Sequence, residues 1–268
     1  MERKNLFKNN AERGVTIKTT QKILTTLIVI LAVMTFVGLV IMINPDLREK
    51  YIWTTTLFLA LQFVSLLLYL VLNYQLKGIW LMIPVMLLSG FLIEYAGVKT
   101  GFPFGEYVYT DKLQPQILNV PIAISLSWVV VVVTAFLIVF PGSRTNLFSK
   151  IVYSSLLVLG LDLMLEPFAA FINSFWIWRA GFVPVQNYVS WFFIAAMFSL
   201  ILGISLRERD NKPEYSKIIK YTPLIILAIN VLQFTVINFM NAYYTSAIFG
   251  LVLISAIIYI KKRGTVEV

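Results

Sequence analysis

The sequence predicts an all-α membrane protein, a polytopic bundle of about eight transmembrane helices with both termini in the cytoplasm. Three observations carry this reading. Of 268 residues, 59% are hydrophobic and only 13% charged, a composition foreign to a water-soluble domain. The apolar residues fall in long blocks, each approaching the ~20 residues that cross ~30 Å of hydrocarbon as helix, with no amphipathic rhythm. Finally, 17 of the 22 Lys and Arg residues lie in the tails and the even-numbered links, which the positive-inside rule assigns to the cytoplasm. The net charge of +9 is therefore a topology signal, and a nucleic-acid partner is rejected.

Residues 1–22 form a basic cytoplasmic tail, a mobile arm or surface helix. The apolar blocks follow at 23–43, 52–72, 79–97, 117–140, 151–172, 188–206, 222–239 and 243–260. Together they make a single transmembrane domain over 23–260, closed by a second basic tail at 261–268. Only helices and closed barrels satisfy their backbone in lipid, and blocks this long and continuous are helical. The first block is too long for a cleaved signal, lacks a small-residue cleavage site and is followed by further spans. Link 207–221, with Arg207, Arg209, Lys212, Pro213 and Lys217, reads as a cytoplasmic hinge. No link has room for a soluble domain, and no internal repeat is evident.

Two outward links differ in kind. Residues 98–116 read V-K-T-G-F-P-F-G-E-Y-V-Y-T-D-K-L-Q-P-Q, and 173–187 read N-S-F-W-I-W-R-A-G-F-V-P-V-Q-N. Gly and Pro impose fixed turns, and the aromatic residues between them are suited to headgroup depth. Polar residues inside the apolar blocks gather at the same end of the bundle. Asp162 and Glu166 stand four residues apart in the fifth block, on one face of a helix. Each ionised acid costs roughly 2.5–3.5 kcal/mol at a helix centre on insertion scales, so such a pair marks a functional site by default. Glu94 closes the third block, Asn187 and Trp191 open the sixth, and Asn238 ends the seventh.

The chain has no Cys and no His. Disulfides, thiolate metal sites, histidine-rich di-iron oxygenases and zinc proteases are excluded. No Gly-rich phosphate loop or dinucleotide fingerprint is present. The chemistry must run on carboxylates, amides, hydroxyls and aromatic rings.

Each candidate has a structural alternative. Asp162 and Glu166 could form an interhelical hydrogen-bonded pair, or a salt bridge with Arg179 or Lys99. As a site, they would exploit low dielectric. It disfavours the charged form of a carboxyl, a second carboxyl disfavours it further, and one protonated beside one ionised acid is the usual acid–base layout. Pro167 frees the carbonyl of Leu163, which then needs another partner. Glu94 reads equally as an interfacial anchor or a pocket residue, and Glu106 as a solvated link residue. Asn187, Asn230, Gln233 and Asn238 are interhelical glue or pocket polars. Tyr107, Tyr109, Trp176 and Trp178 are an interfacial belt, or ring faces that stabilise a cation.

The segment Gly101-Phe102-Pro103-Phe104-Gly105-Glu106-Tyr107-Val108-Tyr109, with Asn119-Val120-Pro121, resembles the signature of the integral-membrane carotenoid hydratases of the CruF type. Leu161-Asp162-Leu163-Met164-Leu165-Glu166-Pro167, Trp176-Ile177-Trp178, Val183-Pro184-Val185-Gln186-Asn187 and Trp191 fit that family's second block. The resemblance covers about residues 79–206, and its first motif is the more specific. The chain departs from the pattern at Gln114, Asn119 and Phe182, where Gly is usual, and at Glu166, where Asp is frequent.

This resemblance implies hydration of the terminal double bond of an acyclic carotenoid end, giving a tertiary alcohol without a cofactor. It implies Asp162 or Glu166 as acid, the other or Glu94 as base, and Tyr107, Tyr109, Trp176, Trp178, Asn187 and Trp191 around the substrate. Membrane lipid, the carotenoid and other carotenoid enzymes are the implied partners. Three other readings fit the same residues: a carotenoid cyclase, a proton-coupled transporter and a non-catalytic membrane scaffold.

Overall fold

The computed structural model describes residues 2–139, 146–210 and 214–264; the side chains of 2–15, 256–257 and 259–264 lie outside that description. Within it the chain forms ten α-helices. They are α1 (Glu2–Ile43), α2 (Pro45–Tyr51), α3 (Thr54–Asn73), α4 (Leu76–Thr100), α5 (Ile122–Ile138), α6 (Leu147–Glu166), α7 (Val185–Ser205), α8 (Lys217–Lys220), α9 (Thr222–Met240) and α10 (Tyr244–Gly264). A π-helical segment, Pro167–Ile172, continues α6. Four short strands lie in the links: β1 (Tyr107–Tyr109), β2 (Gln116–Ile117), β3 (Val120–Pro121) and β4 (Trp176–Trp178).

Six stretches among the described residues are long and apolar enough to cross a membrane: Thr16–Ile43, α3, α4, Leu147–Ile172, α7 and α9. Two shorter apolar helices accompany them, α5 and Tyr244–Ser255. The protein is thus an all-α membrane protein. Large apolar side chains such as Phe36, Trp80, Phe148 and Phe193 point outward and stay exposed, the surface that hydrocarbon, not water, would cover.

Short α5 is the axis of the bundle, packed against α3, α4, α6, α7 and α9. Its sequence is apolar on every side, the pattern of a helix surrounded by protein. Trp128, Val129, Val132, Val133 and Ala135 are fully buried. Outside it, α6 packs on α7, α9 on α10, and α1 on α3 and α9.

The apolar blocks misplace several boundaries. Residues 117–121 are not helical. β2 and β3 pair as a tight hairpin across Leu118 and Asn119, whose φ values of 52° and 67° suit a two-residue turn, and Pro121 precedes the helix. The helix of the fifth block, α6, starts earlier, at Leu147, where the Asn146 side chain accepts a 2.7 Å bond from the Ser149 N–H, an ordinary N-cap. The backbone of the expected N-terminal tail is helical and runs unbroken into the first span.

The described part of link 207–221 is tied to the end of α3 and is not a free hinge. Arg209 donates to the Val71 carbonyl (3.0 Å) and Tyr215 to that of Leu72 (2.6 Å), and Glu208 bridges to Tyr74. These bonds cap carbonyls at the C-terminal end of α3 that have no intrahelical partner. Lys212 and Pro213 lie outside the described residues, as do 265–268 of the C-terminal tail.

Candidate active site

The two aromatic links are far apart in sequence and pair in space. β1 and β4 form an antiparallel ladder with Tyr107 opposite Trp178, Val108 opposite Ile177 and Tyr109 opposite Trp176. Side chains alternate across a strand. Val108 and Ile177 are therefore exposed, at 45% and 54%, while Tyr107, Trp176 and Trp178 turn inward and are at most 7% exposed. Close approach to the second link requires glycine at position 105. Gly105 adopts φ +113°, and a Cβ there would come within 2.7 Å of the Pro184 ring.

Beneath this roof the helices deliver three carboxyls. Glu94, Asp162 and Glu166 are 4%, 0% and 1% exposed. Glu94, from α4, accepts hydrogen bonds at Oε2 from the Tyr107 and Tyr109 hydroxyls, both 2.7 Å, and at Oε1 from Trp128 Nε1 at 2.8 Å. Glu166, at the end of α6, accepts at Oε2 from Trp178 Nε1 (2.9 Å) and Trp176 Nε1 (3.3 Å). The Asn187 amide, from the first turn of α7, spans the pair, donating to Glu166 Oε1 (3.0 Å) and Asp162 Oδ2 (3.1 Å). Asp162 Oδ1 has no partner.

The donors are of three kinds, indole, phenol and the Asn187 amide. Indole N–H groups can only donate. The phenols can do both, but burial first and the adjacent Glu94 second push Tyr107 and Tyr109 well above the ordinary tyrosine range. They keep their protons and remain donors. Glu94 and Glu166 are thus held rigidly at both oxygens, and Asp162 at one.

Local backbone irregularity completes the arrangement. Pro167 cannot donate to Leu163, and the freed Leu163 carbonyl accepts from Ser246 Oγ at 3.2 Å. Asn238 donates to the neighbouring Met164 carbonyl at 2.8 Å. It ties α9 to α6, as the Asn230–Gln62 pair ties α9 to α3.

Two adjoining cavities meet at the carboxyls. The smaller, about 370 Å³ including its open mouth, is lined by Glu94, Tyr107, Tyr109, Glu166, Trp176, Trp178, Asn187 and Trp191. The larger, about 1200 Å³ including its open mouth, runs between α1, α3, α5, α6 and α9, with Asp162 on its wall. Trp176 and Trp191 belong to both. The nine candidate residues therefore line two cavities that share part of their walls. Neither alternative salt bridge forms. Arg179 pairs with Glu106 at 3.1 Å on the surface, and the Lys99 ammonium lies over the Tyr95 ring. Since both side chains of the Arg179–Glu106 pair are well exposed, screening leaves it little energetic weight. Arg179→Ala is expected to retain wild-type activity and expression; a tenfold loss in a product assay would show that the roof depends on it.

Sequence reasoning missed Trp128, the third donor to Glu94. Its indole lies 4.1 Å from that of Trp191, tilted by 30°. The signal was available, because a Trp in the middle of an apolar block, away from the interface, needs a partner for its N–H. A second tight spot is Gly97. A Cβ there would meet Tyr107 Oη at 2.8 Å and the Phe104 ring at 2.9 Å. Gly97→Ala is expected to displace the phenol from Glu94 and lower activity at least about tenfold, because one 2.7 Å charge-assisted bond is worth roughly 1.5–3 kcal/mol. Unchanged turnover in purified protein would overturn this.

Fold and site together define a polytopic membrane protein with an intramembrane carboxyl centre, roofed by aromatic residues and open to an apolar cavity. The family model described as carotenoid biosynthesis protein matches residues 54–257, and the chain belongs to that family. It is also similar to bisanhydrobacterioruberin hydratase of Haloarcula japonica, 33% identical over 132 residues that cover 44% of this chain and 45% of that protein. The alignment thus spans less than half of that relative. No solved structure matches.

Proposed function

We propose that this protein is a cofactor-independent carotenoid hydratase, a lyase-class enzyme that adds water to the terminal double bond of an acyclic carotenoid end to give a tertiary alcohol. The observation that carries the reading is Asp162. It is a fully buried carboxyl with one oxygen unpartnered, on the wall of a large apolar cavity. Family membership and the hydratase relative support it.

In this mechanism Asp162 is the acid. Its free oxygen delivers a proton to the less substituted alkene carbon, and the π electrons form the new C–H bond. The neighbouring carbon becomes a tertiary cation. The anionic oxygens of Glu166 and Glu94 and the faces of Trp176 and Trp191 surround it, preorganised by hydrogen bonds that do not rearrange as charge develops. A water oxygen then closes the C–O bond, and its surplus proton passes to a carboxylate, restoring the starting count of protons. Asn187, bonded to both acids, couples their positions. Tyr107, Tyr109 and Trp178 act by holding Glu94 and Glu166.

The proposal includes eight spans, with α5 and α10 counted among them, in the cell membrane. Both termini face the cytoplasm, and the aromatic ladder lies at the opposite interface. The substrate is a polyene dissolved in lipid, and other carotenoid enzymes supply it.

The test is expression in a bacterium that accumulates a carotenoid with acyclic ends, with pigments analysed by chromatography and mass spectrometry. The expected result is a product heavier by one water for each end modified. A product of unchanged mass and shifted absorption would mean ring closure, and unchanged pigment across several acyclic substrates would sink the reading.

A further inference from the structure

The large cavity carries a second polar group of residues that the carboxyl centre does not use. Gln62 of α3 and Asn230 of α9 exchange amide hydrogen bonds of 3.1 and 2.9 Å. Gln233 lies one helical turn beyond Asn230, and Thr134 comes from α5; all four line the cavity that Asp162 lines. Thr134 is 2% exposed, and its hydroxyl has no partner. The pair ties α3 to α9 and also lines the cavity. Among the described lining residues, Asp162 is the sole charged side chain, so the group does not fit an ionic ligand. It fits a neutral, small hydrogen-bonding one.

We propose that Thr134, Gln62, Asn230 and Gln233 form a water-binding subsite that stocks the cavity with the nucleophile for the hydration proposed above. Water persists in a protein interior only where the space is polar, roomy and offers two to four partners. Thr134 retains full donor and acceptor capacity, the Gln62 and Asn230 amides each retain an unused lone pair, and Gln62 retains an N–H. The reaction makes the demand concrete. Asn230 lies about 15 Å along α9 from Met240, at the ladder end of the bundle. A cation formed beside Asp162 that meets no water loses a proton from an adjacent carbon to a carboxylate and reverts to an alkene. Held water captures it instead, with a C–O bond formed and one proton returned to a carboxylate.

The subsite therefore governs partition after protonation, not protonation itself. The test uses full-length protein in detergent with an acyclic carotenoid in D₂O, reading deuterium in recovered alkene and in the hydrated product. Thr134→Val keeps the side-chain shape, and a Q62M/N230L double variant removes both amides so that neither is orphaned. Each is expected to cut hydrated product about three- to tenfold while deuterium still enters the alkene pool. Hydration at the wild-type rate in both variants would overturn the subsite, as would joint loss of hydration and deuterium entry in folded protein. If the double variant fails to fold, Thr134→Val decides alone. Wild-type protein that neither hydrates nor exchanges would instead remove the hydratase reading on which the subsite rests.

Discussion

Asp162→Asn is expected to abolish formation of the hydrated carotenoid, with a fall of at least about a hundredfold, while the protein still folds and inserts. General acid catalysis contributes about 10²–10⁴-fold, and among the three carboxyls Asp162 alone has an oxygen without a hydrogen-bond partner. The substitution is isosteric. The Asn187 amide, which donates to Asp162 Oδ2 at 3.1 Å, can donate to the new side-chain oxygen in the same place. Packing is preserved and only the transferable proton is lost. Purified variant assayed in D₂O should incorporate no deuterium into recovered substrate. Turnover within a few-fold of wild type would move the acid to Glu166 or Glu94.

Glu94→Leu is expected to have the largest effect on stability. Three buried donors, Tyr107, Tyr109 and Trp128, converge on this carboxyl. Removing their acceptor leaves each unsatisfied at roughly 1–3 kcal/mol, on the order of 3–9 kcal/mol together, a large part of a typical net stability of 5–15 kcal/mol. Glu94→Gln should behave differently. Its carbonyl can accept from Trp128, which can only donate, and its amide can donate to the phenols, which can rotate and accept. Size-exclusion profiles in mild detergent and melting curves would check the pair. Monodisperse Glu94→Leu that melts with the wild type would show that the three donors find other partners, and the rigid-anchor role of Glu94 would fall.

Much of the site was legible because membranes penalise polarity. Asp162 and Glu166 were conspicuous in an apolar block for that reason, and their four-residue spacing already put them on one face. The roof was half legible. Turn residues and rings marked both aromatic links, but their pairing across nearly seventy residues follows from no local pattern, and the period-two alternation that turns Tyr107, Tyr109, Trp176 and Trp178 inward was too short to read. Glu94 could be read as an anchor until Trp128 of α5 came against it. The boundary at Ile122 was misplaced because apolar Ile117 and Leu118 extend the block through what the backbone makes a hairpin.

Composition, block length and the lopsided distribution of Lys and Arg determined the class of fold and the chemistry available, since both follow from the cost of putting charge and bare backbone in hydrocarbon. How unequally the three carboxyls are supplied with partners was decided only by tertiary structure. Donors arriving from four separate segments occupy every oxygen of Glu94 and Glu166 and one of Asp162, which leaves the other oxygen of Asp162 without a partner in a side chain on the cavity wall. Hydrogen-bond supply and void shape are properties of packed neighbours, which no single stretch of sequence contains.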